Sequence, residues 1–230
     1  EPSGKTEYAV GDEVYFDPFK GQRCYSDEAW TLDDKSRTCY KWNVIKASGS
    51  SNDTVELLLD HDLPGDTAWI SLEDYQAAGG NAEEYGQYGN NKYGPITALK
   101  HLKNATDSWN GVVTLTSADN VTRQNGSGGN YTMDYNGYKA RMVSNDEINN
   151  TWPREEANLP TWVYSNMAVN AEMEIIDVYE HVAYWTDSAS TRQPSNVWIV
   201  SNNGYPGYNP VSDANGNGVR PVVRIMKSNL

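Results

Sequence analysis

The side chains that could bind a metal, transfer a proton or attack a substrate are few and scattered in this chain. There are three histidines, His61, His101 and His181, and two cysteines, Cys24 and Cys39. No two histidines stand at helical metal-ligand spacing, and the cysteines lack a C-x-x-C pattern. The densest ligand group is Asp60-His61-Asp62. Neighbours along a strand point to opposite faces, so this triplet cannot converge on one ion without a bend, and it is expected to be a strand end with solvated carboxylates. Asp213-Ala214-Asn215-Gly216-Asn217-Gly218 opens like a calcium loop, whose alternating oxygens wrap an ion around a Gly turn. The match then fails, because position twelve is Arg224 rather than a bidentate Glu and Val219 to Val223 reads as strand. Acid pairs such as Asp33/Asp34, Glu83/Glu84 and Glu155/Glu156 arise by chance in a chain with 31 Asp plus Glu, and adjacency does not place two acids across a cleft. Nucleophile-elbow, P-loop and dinucleotide fingerprints are missing. The chain is therefore expected to be non-enzymatic, with no catalytic residue, metal ligand or cofactor.

Recognition chemistry has a stronger signal. The stretch from Ser201 to Asn217 concentrates Tyr, Asn, Ser and Gly, the residues binding loops use for large contact area at low entropic cost and for adaptable hydrogen bonds. Tyr205 and Tyr208 are the expected anchors, with Ser201, Asn202, Asn203, Asn209, Asp213, Asn215 and Asn217 as polar contacts. An ordinary polar loop is the competing reading. Cys24 and Cys39 lie fifteen positions apart in a polar stretch and are expected to form a disulfide, worth about 3 kcal/mol for a loop of that size. Six N-x-S/T triplets, at Asn52, Asn104, Asn120, Asn125, Asn130 and Asn149, read as polar-surface composition.

Composition narrows the partners. The 230 residues carry a formal charge of −13, which repels nucleic acid and anionic membranes. Sixteen Tyr and eight Trp against two Phe form an amphipathic aromatic set, suited to surfaces where one ring edge packs and the other hydrogen-bonds. There is no apolar run long enough to span a bilayer, so no direct membrane insertion is expected. The bridge, the charge and the polar surface favour an extracellular or cell-surface setting. Glu1-Pro2-Ser3 does not resemble a signal peptide, so a targeting segment would have to lie outside this chain.

The elements that must position these residues are mostly strands. Val10 to Phe16 ends at Asp17-Pro18, which would interrupt a ladder. Tyr40 to Lys46 alternates apolar and polar residues, and Gly49 to Asp53 turns it into Thr54 to Asp60, predicting a hairpin whose Leu57-Leu58-Leu59 run is a buried central strand. Val178 to Ser188, Asn196 to Ser201 and Gly218 to Ile225 read as late strands. Helices are predicted from Ser71 to Ala78 before Gly79-Gly80, after Pro95 where Ile96, Leu99 and Leu102 recur, and from the capping-box pattern Ser144 to Glu147. Gly79 to Gly94 and Asn125 to Gly137 read as long ordered loops or hairpin tips. Without an internal repeat or a Pro/Ser linker, residues 1–230 are expected to be one α+β domain.

Three blocks carry a resemblance to a known family. They are Val10 to Phe16 with Trp42 to Ile45 and Leu57 to Leu59; Gly137-Tyr138-Lys139-Ala140-Arg141-Met142-Val143 leading into Ser144 to Ile148; and Tyr184 to Ser188 followed by Val197 to Val200 and Gly218 to Val223. Their order resembles bacterial surface modules of the C-type-lectin fold and is similar to the variable proteins of diversity-generating retroelements. The resemblance implies an α+β, C-type-lectin-like fold with a mixed or antiparallel sheet, two to three helices and long ordered loops. It also implies that Gly218 to Ile225, Trp185 and Trp198 are framework, and that exposed positions between Asn196 and Asn217 display a hypervariable binding face for a protein or glycan receptor on another surface. The Glu-Pro-Asn and Trp-Asn-Asp motifs of calcium-dependent sugar binding are missing, so that activity is not implied. The fold also resembles formylglycine-generating enzymes, but those need late catalytic cysteines or an iron-binding histidine set, whereas here both cysteines are early. A structural subunit of a pilus or cell-wall assembly is the alternative function.

Overall fold

The computed structural model describes residues 5–31, 33–153, 156–165 and 183–230. His181 and the first part of the strand expected from Val178 lie outside the described residues.

The chain begins with β1 (Glu13–Asp17) and the short β2 (Gln22–Arg23), followed by β3 (Tyr40–Lys46) and β4 (Thr54–Leu59). β1 starts later than expected because Gly11, at φ 90°, turns the chain first. β3 and β4 form the expected hairpin, pairing Trp42 with Leu59 and Val44 with Leu57. Helices α1 (Leu72–Ala77), α2 (Ala82–Tyr85) and α3 (Ile96–Thr106) follow. Ser71 caps α1 through the Asp74 N–H, and α3 buries Ala98, Leu99 and Leu102 as its spacing requires. Next come β5 (Val121–Gln124), β6 (Asn130–Met133), β7 (Arg141–Met142), α4 (Asn145–Thr151) and α5 (Thr161–Tyr164). The Ser144/Glu147 capping box is present at α4. The described chain ends with β8 (Ala183–Ala189), β9 (Asn196–Ser201), β10 (Pro206–Pro210), β11 (Asn217–Gly218) and β12 (Pro221–Met226).

These elements make an α+β structure with three sheets. The first runs β2-β1-β3-β4-β12-β7, the second β10-β9-β8-β11, and the third is the β5–β6 hairpin. Among the named strands of the described residues, β11 and β8 pair in parallel and every other pairing is antiparallel. Two sequence expectations change, and one open reading is settled. The described residues contain five short α-helices rather than two or three, because α2 and α5, at four residues each, are too short to carry a periodic signal. Of the two readings of Asn125 to Gly137, the hairpin tip holds: the segment turns β5 into β6 and includes β6 itself. The strand expected over Gly218 to Ile225 is two strands in different sheets, joined through Val219 and Arg220.

That junction is held by a buried ion pair. Arg220 and Asp62 are both fully buried, with Arg220 Nε donating to Asp62 Oδ1 at 3.1 Å. The same guanidinium donates to the carbonyls of Val163 at 3.0 Å and Ser165 at 2.5 Å and lies over the Tyr184 ring. Gly218 is required beside it, since a Cβ there would sit 2.7 Å from Asp62 Oδ2. The Asp60-His61-Asp62 triplet is accordingly buried, which corrects the expectation of solvated carboxylates. His61 stacks on Trp30 at 4.3 Å, and burial together with the nearby Arg220 charge pushes its pKa down to about 3, leaving it neutral.

Two apolar clusters share the sheets. The larger gathers Trp42, Leu57, Leu59, Trp69, Trp185, Val197, Ile199 and Val223. The smaller joins Leu58 and Val222 of the first sheet to Tyr184 and Val200 of the second, under Ile148 and Val163 of the helices. Trp69 and Trp185 staple the layers reciprocally: Trp69 Nε1 donates to the Thr186 carbonyl at 2.9 Å and Trp185 Nε1 to the Thr67 carbonyl at 2.7 Å. Cys24 and Cys39 form the expected disulfide.

Candidate ligand-binding surface

The late loop is largely a hairpin. β10 pairs antiparallel with β9, setting Tyr208 opposite Trp198, and the two rings lie 3.9 Å apart. At the tip, Gly204 takes φ 83° and Tyr205 N donates to Asn203 Oδ1 at 3.2 Å. Tyr205 stands edge-on to Trp152 at 6.1 Å. Tyr205 and Tyr208 are 42% and 46% exposed, so the two expected anchors do stand at the surface.

The nine expected contact residues do not form one patch. Tyr208 and Asn209 are neighbours in a strand and so project to opposite faces. Tyr208 shares the face of Trp198 and α4. Asn209 turns the other way and donates to Asn217 Oδ1 at 2.7 Å. Asn217 is fully buried, with Nδ2 donating to the Asn215 carbonyl at 3.1 Å and, at the limit of a hydrogen bond, to the Asp213 carbonyl. Asn217 is therefore a strut of its own turn rather than a contact residue. The Asn215 N–H is in turn held by Asp213 Oδ1 at 3.1 Å. Asp213, Asn215 and Asn217 thus spend several of the oxygens a calcium loop would offer on internal hydrogen bonds, and among the described residues no group of three His, Cys, Asp or Glu could hold a metal ion. Ser201, Asn202 and Asn203 stay with Tyr205 at the hairpin tip, where Asn203 is exposed and the other two half-buried.

What the fold places beside the aromatic pair is a polar groove of about 360 Å³. Gln124 of β5, Asn145 and Asp146 at the start of α4, Thr191 of the β8–β9 loop and Trp198 line it, over Arg123. Its walls are pinned by Asn91, which is fully buried. Asn91 Nδ2 donates to the Ser190 and Asn196 carbonyls at 3.0 and 2.8 Å, while its Oδ1 accepts from the Gly126 N–H at 2.9 Å. One amide thereby ties the β8–β9 loop to the β5–β6 turn. Neither Asn91 nor Asn145 was singled out by sequence reasoning, because an isolated Asn carries no periodic or motif signal. Only the capping box before α4 marked that neighbourhood.

Arg123 grips Asp187 with two contacts, Nε to Oδ1 at 2.7 Å and Nη2 to Oδ2 at 2.9 Å, and Ser188 Oγ donates to the same carboxylate at 2.8 Å. Even so, burial pushes the Asp187 pKa up to about 6, because desolvation of the carboxylate outweighs its attraction to Arg123. A raised folded-state pKa means that the folded protein holds a proton the unfolded chain has released. The contribution of Asp187 to stability is thus fully present below about pH 4 and lost as the pH rises through about 6. Urea unfolding across this range should show the stability difference between the wild type and Asp187→Asn changing from about pH 4 to about pH 6 and flat above pH 7. A constant difference would mean that Asp187 titrates like an exposed carboxylate.

No helix among the described residues is long and apolar enough to cross a membrane. Comparison with protein-family models, curated proteins and solved structures finds no match for this chain.

Proposed function

We propose that this chain is a non-enzymatic, extracellular or cell-surface binding module that recognises a protein or glycan receptor through the aromatic face of its β9–β10 hairpin. The observation that carries the reading is the pair of exposed tyrosines, each set against a tryptophan and mounted on strands whose opposite face is core. Rigid aromatic anchors lose little entropy on binding, and such residues dominate recognition energetics.

A C-type-lectin-like scaffold is the reading of the fold that we adopt. It is supported by the meeting of the first and last described segments, where Lys227 Nζ donates to the Thr6 carbonyl at 2.5 Å. It is also supported by the insertion of the second sheet between β7 and β12 of the first. The disulfide fits an oxidising compartment. Hypervariability is testable in sibling sequences: substitutions concentrated between Asn196 and Asn217 favour the retroelement resemblance, and an even spread argues against it.

Pro206 and Pro210 leave the five-residue outer strand β10 at most three backbone donors. That opposes polymerisation by strand addition at this edge, and so favours receptor binding over assembly for the β9–β10 hairpin. The direct test replaces Tyr205 and Tyr208 with Ala and measures binding of the labelled chain to glycan and cell-surface-protein arrays. We expect affinity to fall about thirtyfold, the loss of one hot-spot contribution of about 2 kcal/mol. Unchanged binding by a folded variant would remove the hairpin from the binding face.

A further inference from the structure

We infer that the polar groove beside Trp198 is a subsite for a neutral saccharide. The inference rests on the reading of this face as the ligand-binding surface and names a ligand class and a set of residues for it. The groove offers the two kinds of contact a sugar ring needs. The Trp198 indole, backed by Tyr208 at 3.9 Å, is a flat apolar wall against which the C–H face of a pyranose can stack. In the same groove, Gln124, Asn145, Asp146 and Thr191 supply amide, carboxylate and hydroxyl groups that can pair with vicinal hydroxyls. A volume of about 360 Å³ lies at the low end of small-ligand clefts, near about 300 Å³, and so suits a ligand of one or a few sugar units.

Charge selects against the obvious alternatives. The cation at the groove, Arg123, is neutralised by its two contacts to Asp187, and the exposed Asp146 adds a negative charge to a chain already at −13. Anionic sugars and phosphates are repelled, whereas a neutral polyol meets no such barrier.

Two further observations favour a built site over a chance crevice. The walls are pre-organised: besides the Asn91 amide, Asn125 Oδ1 accepts from the Ser127 and Gly129 N–H groups at 3.0 and 2.9 Å, fixing the β5–β6 turn. In addition, Asn145 is 9% exposed and its Oδ1 is a buried acceptor with no hydrogen-bond partner. A small rotation of that amide toward the groove lets a ligand hydroxyl supply the missing donor.

The test is a titration of the ¹⁵N-labelled chain followed by NMR, using cello-, manno- and chito-oligosaccharides as neutral probes and sialyllactose and a heparin disaccharide as anionic ones. At least one neutral probe should shift the amide signals of Gln124, Asn145 and Thr191 and the Trp198 indole, with a dissociation constant around 1 mM or tighter. Gln124→Ala and Thr191→Ala, both at exposed positions, should each weaken that probe about threefold to tenfold with the rest of the spectrum unchanged, and Trp198→Ala should weaken it more than about tenfold. Shifts confined to Ser201 through Tyr205 would overturn the groove assignment while leaving the hairpin reading standing. Preferential binding of the anionic probes would overturn the neutral class. Silence of every probe up to about 10 mM would overturn the subsite, whatever the arrays show for the Tyr205 and Tyr208 variant.

Discussion

Arg220→Ala is expected to destabilise the protein by about 3–5 kcal/mol, the cost of breaking a buried pair from one side. Against a total stability of about 5–15 kcal/mol, this would leave a large fraction of the chain unfolded at moderate temperature. The effect is large because three losses coincide. Asp62, fully buried, loses the guanidinium that makes its burial tolerable. The Ser165 carbonyl loses its guanidinium donor, and the Val163 carbonyl keeps only the Tyr184 hydroxyl, which loosens the end of α5 from the junction before β12. Truncation also leaves a void under the Tyr184 ring, where a fully buried side chain had been. Arg220→Lys should recover little, because one ammonium cannot reach a carboxylate and several separate carbonyls at fixed fork geometry. Urea unfolding of both variants checks this; a loss below about 1 kcal/mol for Arg220→Ala would show that the pair contributes no more than a surface ion pair does.

Removing the Cys24–Cys39 bridge, by the double substitution to Ser or by reduction, should cost about 3 kcal/mol, chiefly through the freedom returned to the unfolded chain. For a protein of this size that corresponds to a fall of about 6–12 °C in Tm. A local consequence should accompany it. The bridged loop carries Trp30, whose backbone N–H donates to the Cys39 carbonyl at 2.7 Å and whose ring covers the neutral, buried His61. Loosening the loop should therefore red-shift Trp fluorescence before global unfolding. A Tm insensitive to reductant would mean that the unfolded chain gains little from the opened loop.

Local pattern was enough to read several elements. The alternation in Tyr40 to Lys46 and the Gly49 to Asp53 turn specify the β3–β4 hairpin, the spacing of Ile96, Leu99 and Leu102 specifies α3, and the Ser144/Glu147 pair specifies the start of α4. Each depends on residues within a few positions of one another, so the deciding energies are local. The same logic missed α2 and α5, whose single turns are held by tertiary contacts, and ran β11 into β12 because an apolar run does not reveal that its strands belong to different sheets. It also took Asp60-His61-Asp62 for a solvated strand end, because the partner that makes burial tolerable, Arg220, lies 158 positions away.

The sequence by itself determined an acidic, Tyr- and Trp-rich chain with one disulfide, strands framing a few helices, and Tyr205 and Tyr208 among polar turn residues. Only the tertiary structure decided which of those residues share a surface. Strand alternation separates Tyr208 from Asn209, and burial turns Asn217 into a strut. The folding together of β5, the start of α4, the β8–β9 loop and β9 brings Gln124, Asn145, Thr191 and Trp198 to one groove. The physical reason is that hydrogen bonding and hydrophobic periodicity act along the chain, whereas a binding surface is made of side chains that meet only after distant segments have packed.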